Sequence, residues 1–116
     1  MGVGVMKITQ RSENGVIVFV LEGRIDSEGA VQLDDTLRHA IETGDAKLIL
    51  DMTDVQYMNS AALRTLADII STTREKGGDL KLAALQPKVR RVLQIVGFDR
   101  FSSIHDTLQA ALADFA

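Results

Sequence analysis

The sequence predicts an α/β fold, with a mixed, mostly parallel sheet of four to five strands, an N-terminal antiparallel hairpin and about four flanking helices. Two patterns carry this prediction. A hairpin signal joins two β-prone runs near the amino terminus, and short apolar runs then alternate with longer segments of helical periodicity. Because parallel neighbours need a crossover connection, the alternation favours helices packed on a largely parallel sheet, in the order β-β-α-β-α-β-α-β-α.

The hairpin is predicted from residues 5–12 and 15–22, two short runs with a high β propensity. The pair Asn14-Gly15 lies between them, next to Glu13. An Asn-Gly pair favours the positive φ angles that a tight hairpin turn requires. The first two strands are therefore predicted to be antiparallel.

The first helix follows the segment Gly23-Arg24-Ile25-Asp26-Ser27. Its start is predicted at Asp26 or Ser27, whose side-chain oxygens can accept hydrogen bonds from the first free amides, and its end near Gly44. The apolar positions recur at helical spacing and predict one buried face: Ala30, Leu33, Leu37, Ala40 and Ile41.

A central strand is predicted next, because Leu48-Ile49-Leu50 is continuously apolar, as in a strand covered on both faces, and Asp51 follows it. We predict a polar loop over residues 54–59, then a second helix that opens with residues 59–61 and ends at Gly77-Gly78. One stripe predicts the buried face of this helix: Ala62, Leu66, Ile69, Ile70 and Thr73.

The rest of the chain predicts a strand at residues 80–85, a helix with Pro87 in its first turn, a short edge strand at residues 101–104 and a terminal helix. Asp106, with Gln109 three residues later, resembles a capping box for the terminal helix. Two buried stripes are predicted, Val89, Val92, Leu93 and Val96 in the third helix and Leu108, Ala111, Leu112 and Phe115 in the fourth.

The composition predicts a single domain over residues 1–116, since 46% hydrophobic and 25% charged residues are typical of one globular core. A net charge of −3 argues against nucleic acid as a partner, because phosphates favour a basic surface. The chain has no cysteine, and we find neither a secretory leader nor an apolar run long enough to cross a membrane. We therefore expect a cytoplasmic protein that binds another protein and does not insert into membranes.

Signatures of metal or nucleotide binding are sparse. His39 and His105 lie far apart in sequence and lack metal-ligand spacing, and no phosphate-binding glycine-rich loop is present. Lys88, Arg90 and Arg91 alternate with apolar positions, which is typical of a solvated helix face. We expect no cofactor and no metal.

An enzyme or ligand-binding domain is an alternative of a different class. It would use Asp26, Asp51 and Asp54, which are predicted near strand ends, where open α/β sheets bind ligands. The sequence offers no recognisable combination of a nucleophile, a base and an orienting group. Asp is also common at helix caps and strand ends. The sequence therefore favours a protein without enzymatic activity.

The passage from the central strand into the second helix is the most informative segment. Ser60 lies at the predicted helix start, where free amides and the helix dipole tolerate added negative charge. A phosphate there would add about −1.5 to −2 charges to the surface and block a partner without unfolding the domain. The same segment also has a structural explanation, because Asn59 and Ser60 are common capping residues. Both interpretations remain open.

Three motifs in this order resemble the STAS domain of anti-sigma factor antagonists. They correspond to a G-x-[IL]-D turn before the first helix, a strand that ends in Asp, and a D-S-[SA]-G-L segment at the next helix start. In this chain they read Gly23-Arg24-Ile25-Asp26, Leu48-Ile49-Leu50-Asp51 and Asn59-Ser60-Ala61-Ala62-Leu63. Asn59 stands where the family has an acidic residue, and Ala62 where it has glycine.

The resemblance implies the STAS fold and a partner-switching function. A protein of this kind binds an anti-sigma factor that is also a serine kinase of the histidine-kinase-like ATPase type, and so releases the sigma factor. Phosphorylation of Ser60 would end the binding, and a PP2C-type phosphatase would restore it; ATP and magnesium would belong to the kinase. The implied partner-binding residues are Asp26, Ser27, Met58, Asn59, Ser60, Ala61 and Arg64.

A second function is compatible with the same resemblance. The chain would then be an unphosphorylated STAS scaffold, a subunit of a transport complex or of a stress-signalling assembly, that docks through the same helix face. The changes at Asn59 and Ala62 favour this alternative.

Overall fold

The computed structural model describes residues 6–116 and contains a five-stranded sheet. The strands are β1 (Lys7–Glu13), β2 (Val16–Ile25), β3 (Lys47–Met58), β4 (Asp79–Ala83) and β5 (Ser103–His105), side by side in this order. The helices are α1 (Ser27–Glu42), α2 (Ser60–Glu75), α3 (Pro87–Ile95) and α4 (Leu108–Phe115), and a 3₁₀ turn covers Phe98–Arg100. The predicted mixed, mostly parallel sheet with four helices is confirmed.

The N-terminal hairpin is confirmed in position and direction. β1 and β2 pair antiparallel from Lys7 opposite Glu22 to Glu13 opposite Val16. Asn14 and Gly15 form the turn with φ angles of 53° and 81°, the left-handed geometry that this residue pair tolerates. Residue 5, at the start of the predicted first run, lies outside the described residues. The other strand pairs, β2–β3, β3–β4 and β4–β5, are parallel.

Hydrophobic residues are buried on both faces of the sheet, in a larger cluster on one face and a smaller cluster on the other. α1, α2 and α3 cover one face with the larger cluster, in which Phe19, Leu50 and Leu66 are fully buried. α4 covers part of the other face with a smaller cluster around Ile49 and Ala111. Both faces of β3 are therefore buried along Leu48–Leu50, which explains the uninterrupted apolar run there. Within residues 6–116, no helix is long and apolar enough to span a membrane.

The predicted loop over residues 54–59 is wrong, because β3 continues to Met58 and β2 continues past residue 22 to Ile25. The two strands still pair there, with Glu22 opposite Asp54 and Ile25 opposite Met58. Register shifts interrupt this pairing, so the buried residues Met52, Val55 and Met58 are spaced by three instead of two. A strand with that spacing lacks the alternation by which strands are recognised in sequence.

The predicted buried stripe of α3 is partly wrong. Val89 and Leu93 are buried, but Val92 is 40% exposed and Val96 is 58% exposed. The helix is only nine residues long and rests on the sheet through the narrow 89/93 stripe. Val92 borders a shallow pocket together with Tyr57 of β3, and neither Val92 nor Val96 belongs to the core cluster of residues 6–116.

Three boundaries near the carboxyl terminus also differ from the prediction. β4 ends at Ala83 instead of residue 85, because Ala84 turns the chain with a φ of 59°. The edge strand β5 begins at Ser103, after the 3₁₀ turn. Thr107, not Asp106, caps α4, with its hydroxyl oxygen 3.1 Å from the amide of Ala110.

Candidate functional site

The amino termini of α1 and α2 lie side by side at the carboxyl edge of the sheet. β2 and β3 are parallel neighbours that end together, with Ile25 opposite Met58, and each strand leads directly into its helix. The backbone N–H of Asn59 donates to the carbonyl of Ile25 at 3.1 Å, which joins the two exits. Residues more than thirty positions apart in sequence therefore share one surface.

Two side chains cap these helices and one of them links both. The Asp26 carboxylate accepts from the amide of Gly29 at 2.9 Å and caps α1. The Asn59 side-chain oxygen accepts from the amide of Ala62 at 3.1 Å and caps α2. The Asn59 side-chain nitrogen donates to the hydroxyl of Ser27 at 3.3 Å. Asn59 is thus both a cap and a bridge between the two helix starts.

Ser60 is the first residue of α2, and its side chain is exposed. Asn59 makes the capping contact, and the hydroxyl of Ser60 forms no hydrogen bond within residues 6–116. The capping interpretation therefore applies to Asn59 and not to Ser60.

A shallow groove of about 320 Å³ runs from this corner between α1 and α2. Ser27 lies at its α1 end, and Ala61 and Arg64 line the α2 side. Val31 also lines it and is 62% exposed, although it is apolar. Sequence reasoning missed Val31; its position outside the regular buried stripe of the first helix is the signal that an apolar side chain there faces outward.

Met58 and Ala62 differ from the other residues of this corner because they are buried. Met58 is 5% exposed and packs in the large core cluster. Ala62 is fully buried, and its methyl group packs in the same cluster. Both side chains support the start of α2 from below, so of the seven residues implied by the resemblance, Met58 offers the least surface.

An exposed stacked pair that the sequence did not predict lies on the neighbouring strands β2 and β3. Arg24 and Tyr57 are paired residues of β2 and β3, and the guanidinium carbon of Arg24 lies 4.1 Å from the centre of the Tyr57 ring. Such stacking holds an arginine in place at low entropic cost. The signal available in sequence was weak, because the segments containing both residues were predicted as turn and loop.

The electrostatics of the two helix starts differ. α1 has the Asp26 carboxylate as its cap and Glu28 in its first turn, whereas α2 has a neutral cap and no acidic residue in its first turn. The positive end of the α2 dipole is therefore less compensated than that of α1.

The three carboxylates of the enzyme alternative do not form a site. Asp26 caps α1, and the Asp51 carboxylate accepts from the hydroxyl of Thr53 at 2.6 Å. Asp54 lines a shallow, open pocket on the sheet with Glu22 and Arg24. Within residues 6–116, no group of three or more acidic or histidine side chains is arranged to hold a metal ion.

Ser103, His105 and Asp114 form a cluster that resembles a catalytic triad but lacks its geometry. The Ser103 hydroxyl and the Asp114 carboxylate approach the same imidazole nitrogen, Nε2, at 3.0 and 3.1 Å. A triad needs the serine and the acid on opposite ring nitrogens. The hydrogen bond from Lys81, at 2.8 Å, lowers the pKa of Asp114 below its ordinary value. The cluster therefore fastens α4 to β4 and β5.

Asn59→Ala is expected to lower the free energy of unfolding by about 1 kcal/mol, because the cap of α2 is lost. Asn59→Asp is the matched control: it keeps an acceptor for the amide of Ala62 and should change stability by less than about 0.5 kcal/mol. Urea denaturation measures both. An equal loss in the two variants would contradict the capping role.

The chain is similar to known proteins over most of its length. The family model for the STAS domain matches residues 7–111. BtrV of Bordetella bronchiseptica, named as a candidate anti-sigma factor antagonist, is 32% identical over 110 residues that cover 95% of each chain.

Two solved structures share the fold. The crystal structure of a candidate anti-sigma factor antagonist from Thermotoga maritima has a TM-score of 0.87 and 23% identity, over 93% of each chain. The Bacillus cell fate determinant SpoIIAA in its phosphorylated form has a TM-score of 0.73 and 18% identity, over 95% of this chain and 100% of that one. Because the STAS family model matches most of the chain and the fold is shared, this chain belongs to the STAS domain family.

Proposed function

We propose that this protein is an anti-sigma factor antagonist whose binding to its partner is ended by phosphorylation of Ser60. Unphosphorylated, it binds an anti-sigma factor that is also a serine kinase of the histidine-kinase-like ATPase type, and the sigma factor is released. The observation that carries the proposal is the exposed Ser60 hydroxyl at the first position of α2, which forms no hydrogen bond within residues 6–116. The names of relatives such as BtrV support the same class.

The chemistry at Ser60 is a phosphoryl transfer supplied by the kinase. The Ser60 oxygen forms a bond to the γ-phosphorus of ATP, the bond from that phosphorus to the β–γ bridging oxygen breaks, and ADP leaves. The hydroxyl proton passes to a base of the kinase. In the reverse direction, a PP2C-type phosphatase adds water to the phosphoserine and releases inorganic phosphate. The antagonist itself contributes only the hydroxyl, and we propose no enzymatic activity and no cofactor for it.

The position of Ser60 lets phosphate change the surface and leave the fold intact. The side chain is exposed, so a phosphate displaces no core atoms, and the amino end of α2 lacks acidic residues that would repel it. The phosphate adds about −1.5 to −2 charges, and a partner packed against this corner would have to desolvate them. Phosphorylation therefore blocks binding at little cost to stability.

The proposed docking surface combines the corner and the groove. Asp26, Ser27, Asn59, Ser60 and Ala61 form the corner where the two helices start, and Arg64 extends it along α2. Met58 supports the surface from the core. A protein partner fits the net charge of −3 better than nucleic acid does, and we propose a cytoplasmic protein of one domain that does not insert into membranes.

A second candidate function is a STAS scaffold that docks through the same surface without phosphorylation, in a transport complex or a stress-signalling assembly. The neutral side chain of Asn59 favours it, because a kinase that requires an acidic neighbour would not accept Ser60. The bridge from Asn59 to Ser27 at 3.3 Å shows that this residue already has a structural role in the chain.

The test is to incubate the protein with its cognate kinase and ATP and to locate phosphate by mass spectrometry. We expect one phosphate, on Ser60, and none in Ser60→Ala. Phosphate on another residue would refute the site assignment. Stable binding of a partner that has no kinase activity, with no phosphate found on this protein under any condition, would favour the scaffold function.

A further inference from the structure

We propose that Arg64 is an internal receptor for the phosphate on Ser60, so that phosphorylation also withdraws Arg64 from the docking surface. This inference rests on the proposed function, because it concerns the phosphorylated state. Ser60 and Arg64 lie four residues apart on α2, and both side chains are exposed. Residues at this spacing are neighbours on one face of a helix.

In the unphosphorylated chain, Arg64 forms no ion pair or side-chain hydrogen bond within residues 6–116. The acidic residue across the groove, Asp34, is engaged by Arg38 through both carboxylate oxygens, at 3.0 and 3.1 Å. Asp68 lies four residues after Arg64 on α2, but an acid that follows its base has the weaker orientation relative to the helix dipole. Arg64 is therefore available for a new partner.

A phosphate on Ser60 has the favourable orientation, since the acid precedes the base by four residues. The planar guanidinium group matches phosphate oxygens and can form two parallel hydrogen bonds. The first turn of α2 has no acidic residue to compete for Arg64, and the Asp26 carboxylate at the start of α1 already accepts from the amide of Gly29. The surroundings thus leave the phosphate as the strongest acceptor in reach of Arg64.

Phosphorylation of Ser60 would then weaken binding of the partner in two ways. The phosphate adds negative charge at the corner, and its pairing with Arg64 removes a cation from the groove that Ser27, Val31 and Ala61 also line. A partner with an acidic group opposite Arg64 would lose that contact at the same moment.

The pairing is tested on the full chain with phosphoserine placed at position 60 during translation by an expanded genetic code, so that no kinase is needed. A ³¹P NMR titration from about pH 4.5 to 8 follows the second ionisation of the phosphate, near pH 6 in free phosphoserine. Because a neighbouring cation favours the dianion, Arg64→Gln is expected to raise the titration midpoint by about 0.3 pH at low salt. The difference should shrink at about 0.5 M NaCl through screening.

Two further variants keep the result interpretable. Arg64→Lys keeps the charge without the planar group, and its titration midpoint should fall between those of the parent and Arg64→Gln. Arg91→Gln removes an exposed cation from α3 and should leave the midpoint unchanged. Equal midpoints for the parent and Arg64→Gln, or an equal shift in Arg91→Gln, would overturn the proposal. Failure of the kinase to modify Ser60 would instead refute the proposed function and leave this measurement unaffected.

Discussion

Ser60→Glu is expected to weaken binding of the kinase partner by about 100-fold, because the partner would have to desolvate a carboxylate on the proposed docking surface when it binds. The side chain is exposed at the start of α2, so the substitution alters the surface and not the core. Isothermal titration calorimetry with the purified partner measures the two affinities. The melting temperature should stay close to that of the parent, since a carboxylate is favourable at a helix start.

Three controls separate charge from size and from position. Ser60→Ala is expected to keep the parent affinity, and Ser60→Gln, which has the size of Glu without its charge, should bind better than Ser60→Glu. Ser71→Glu places the same charge at an exposed position near the other end of α2 and should bind normally. Equal affinities for Ser60→Ala, Ser60→Gln and Ser60→Glu would count against an electrostatic switch.

Phe19→Ala is expected to have the largest effect on stability, a loss of about 3–5 kcal/mol in the free energy of unfolding. Phe19 lies in β2 with no exposed surface and belongs to the cluster shared with α1 and α2. Truncating it loses the transfer free energy of the ring and leaves a cavity that the close-packed neighbours fill only in part. A domain of this size has a total stability of about 5–15 kcal/mol, so a large share would disappear.

Chemical denaturation followed by circular dichroism measures this loss. Ile95→Ala is the control, because Ile95 is also a large apolar residue but is 72% exposed on α3, and its truncation should change stability by less than about 0.5 kcal/mol. A comparable loss in both variants would mean that α3 is covered by another surface in solution. A loss below about 1 kcal/mol for Phe19→Ala would contradict the burial of Phe19 in the core cluster.

The contrast between these two predictions follows from where the residues lie. Phe19 is sealed between the sheet and the helices, and Ser60 is on the outside of the same helix layer. The protein can therefore change its surface charge at one position while its packing is held by others. In the proposed switch, phosphorylation of Ser60 would therefore leave the packed core in place.

Much of the fold was predictable because its strongest signals are local. Asn14-Gly15 accepts positive φ angles and fixes the hairpin, and Gly77, with a φ of 81°, follows the end of α2. The buried stripes of α1 and α2 recur at helical spacing because each helix buries one face against a wide sheet. The position of Ser60 at a helix start was likewise readable, since capping chemistry is decided within a few residues.

The errors arose where a neighbour distant in sequence decides the outcome. β3 runs on to Met58 because β2 continues beside it, and a register shift between them removes the alternation that marks a strand. Val92 and Val96 are apolar but 40% and 58% exposed, because α3 joins the core cluster only through Val89 and Leu93. Local spacing alone does not specify either outcome.

The sequence by itself determined the order of elements, the buried faces of α1 and α2 and the serine at the start of α2, because these depend on contacts between residues a few positions apart. Only the tertiary structure decided that Asn59 caps α2 while it binds Ser27 at 3.3 Å, and that Asp34, across the groove from Arg64, is paired with Arg38 instead. The physical reason is that two parallel strands end together and bring Ser27 and Asn59, thirty-two residues apart along the chain, into hydrogen-bonding distance.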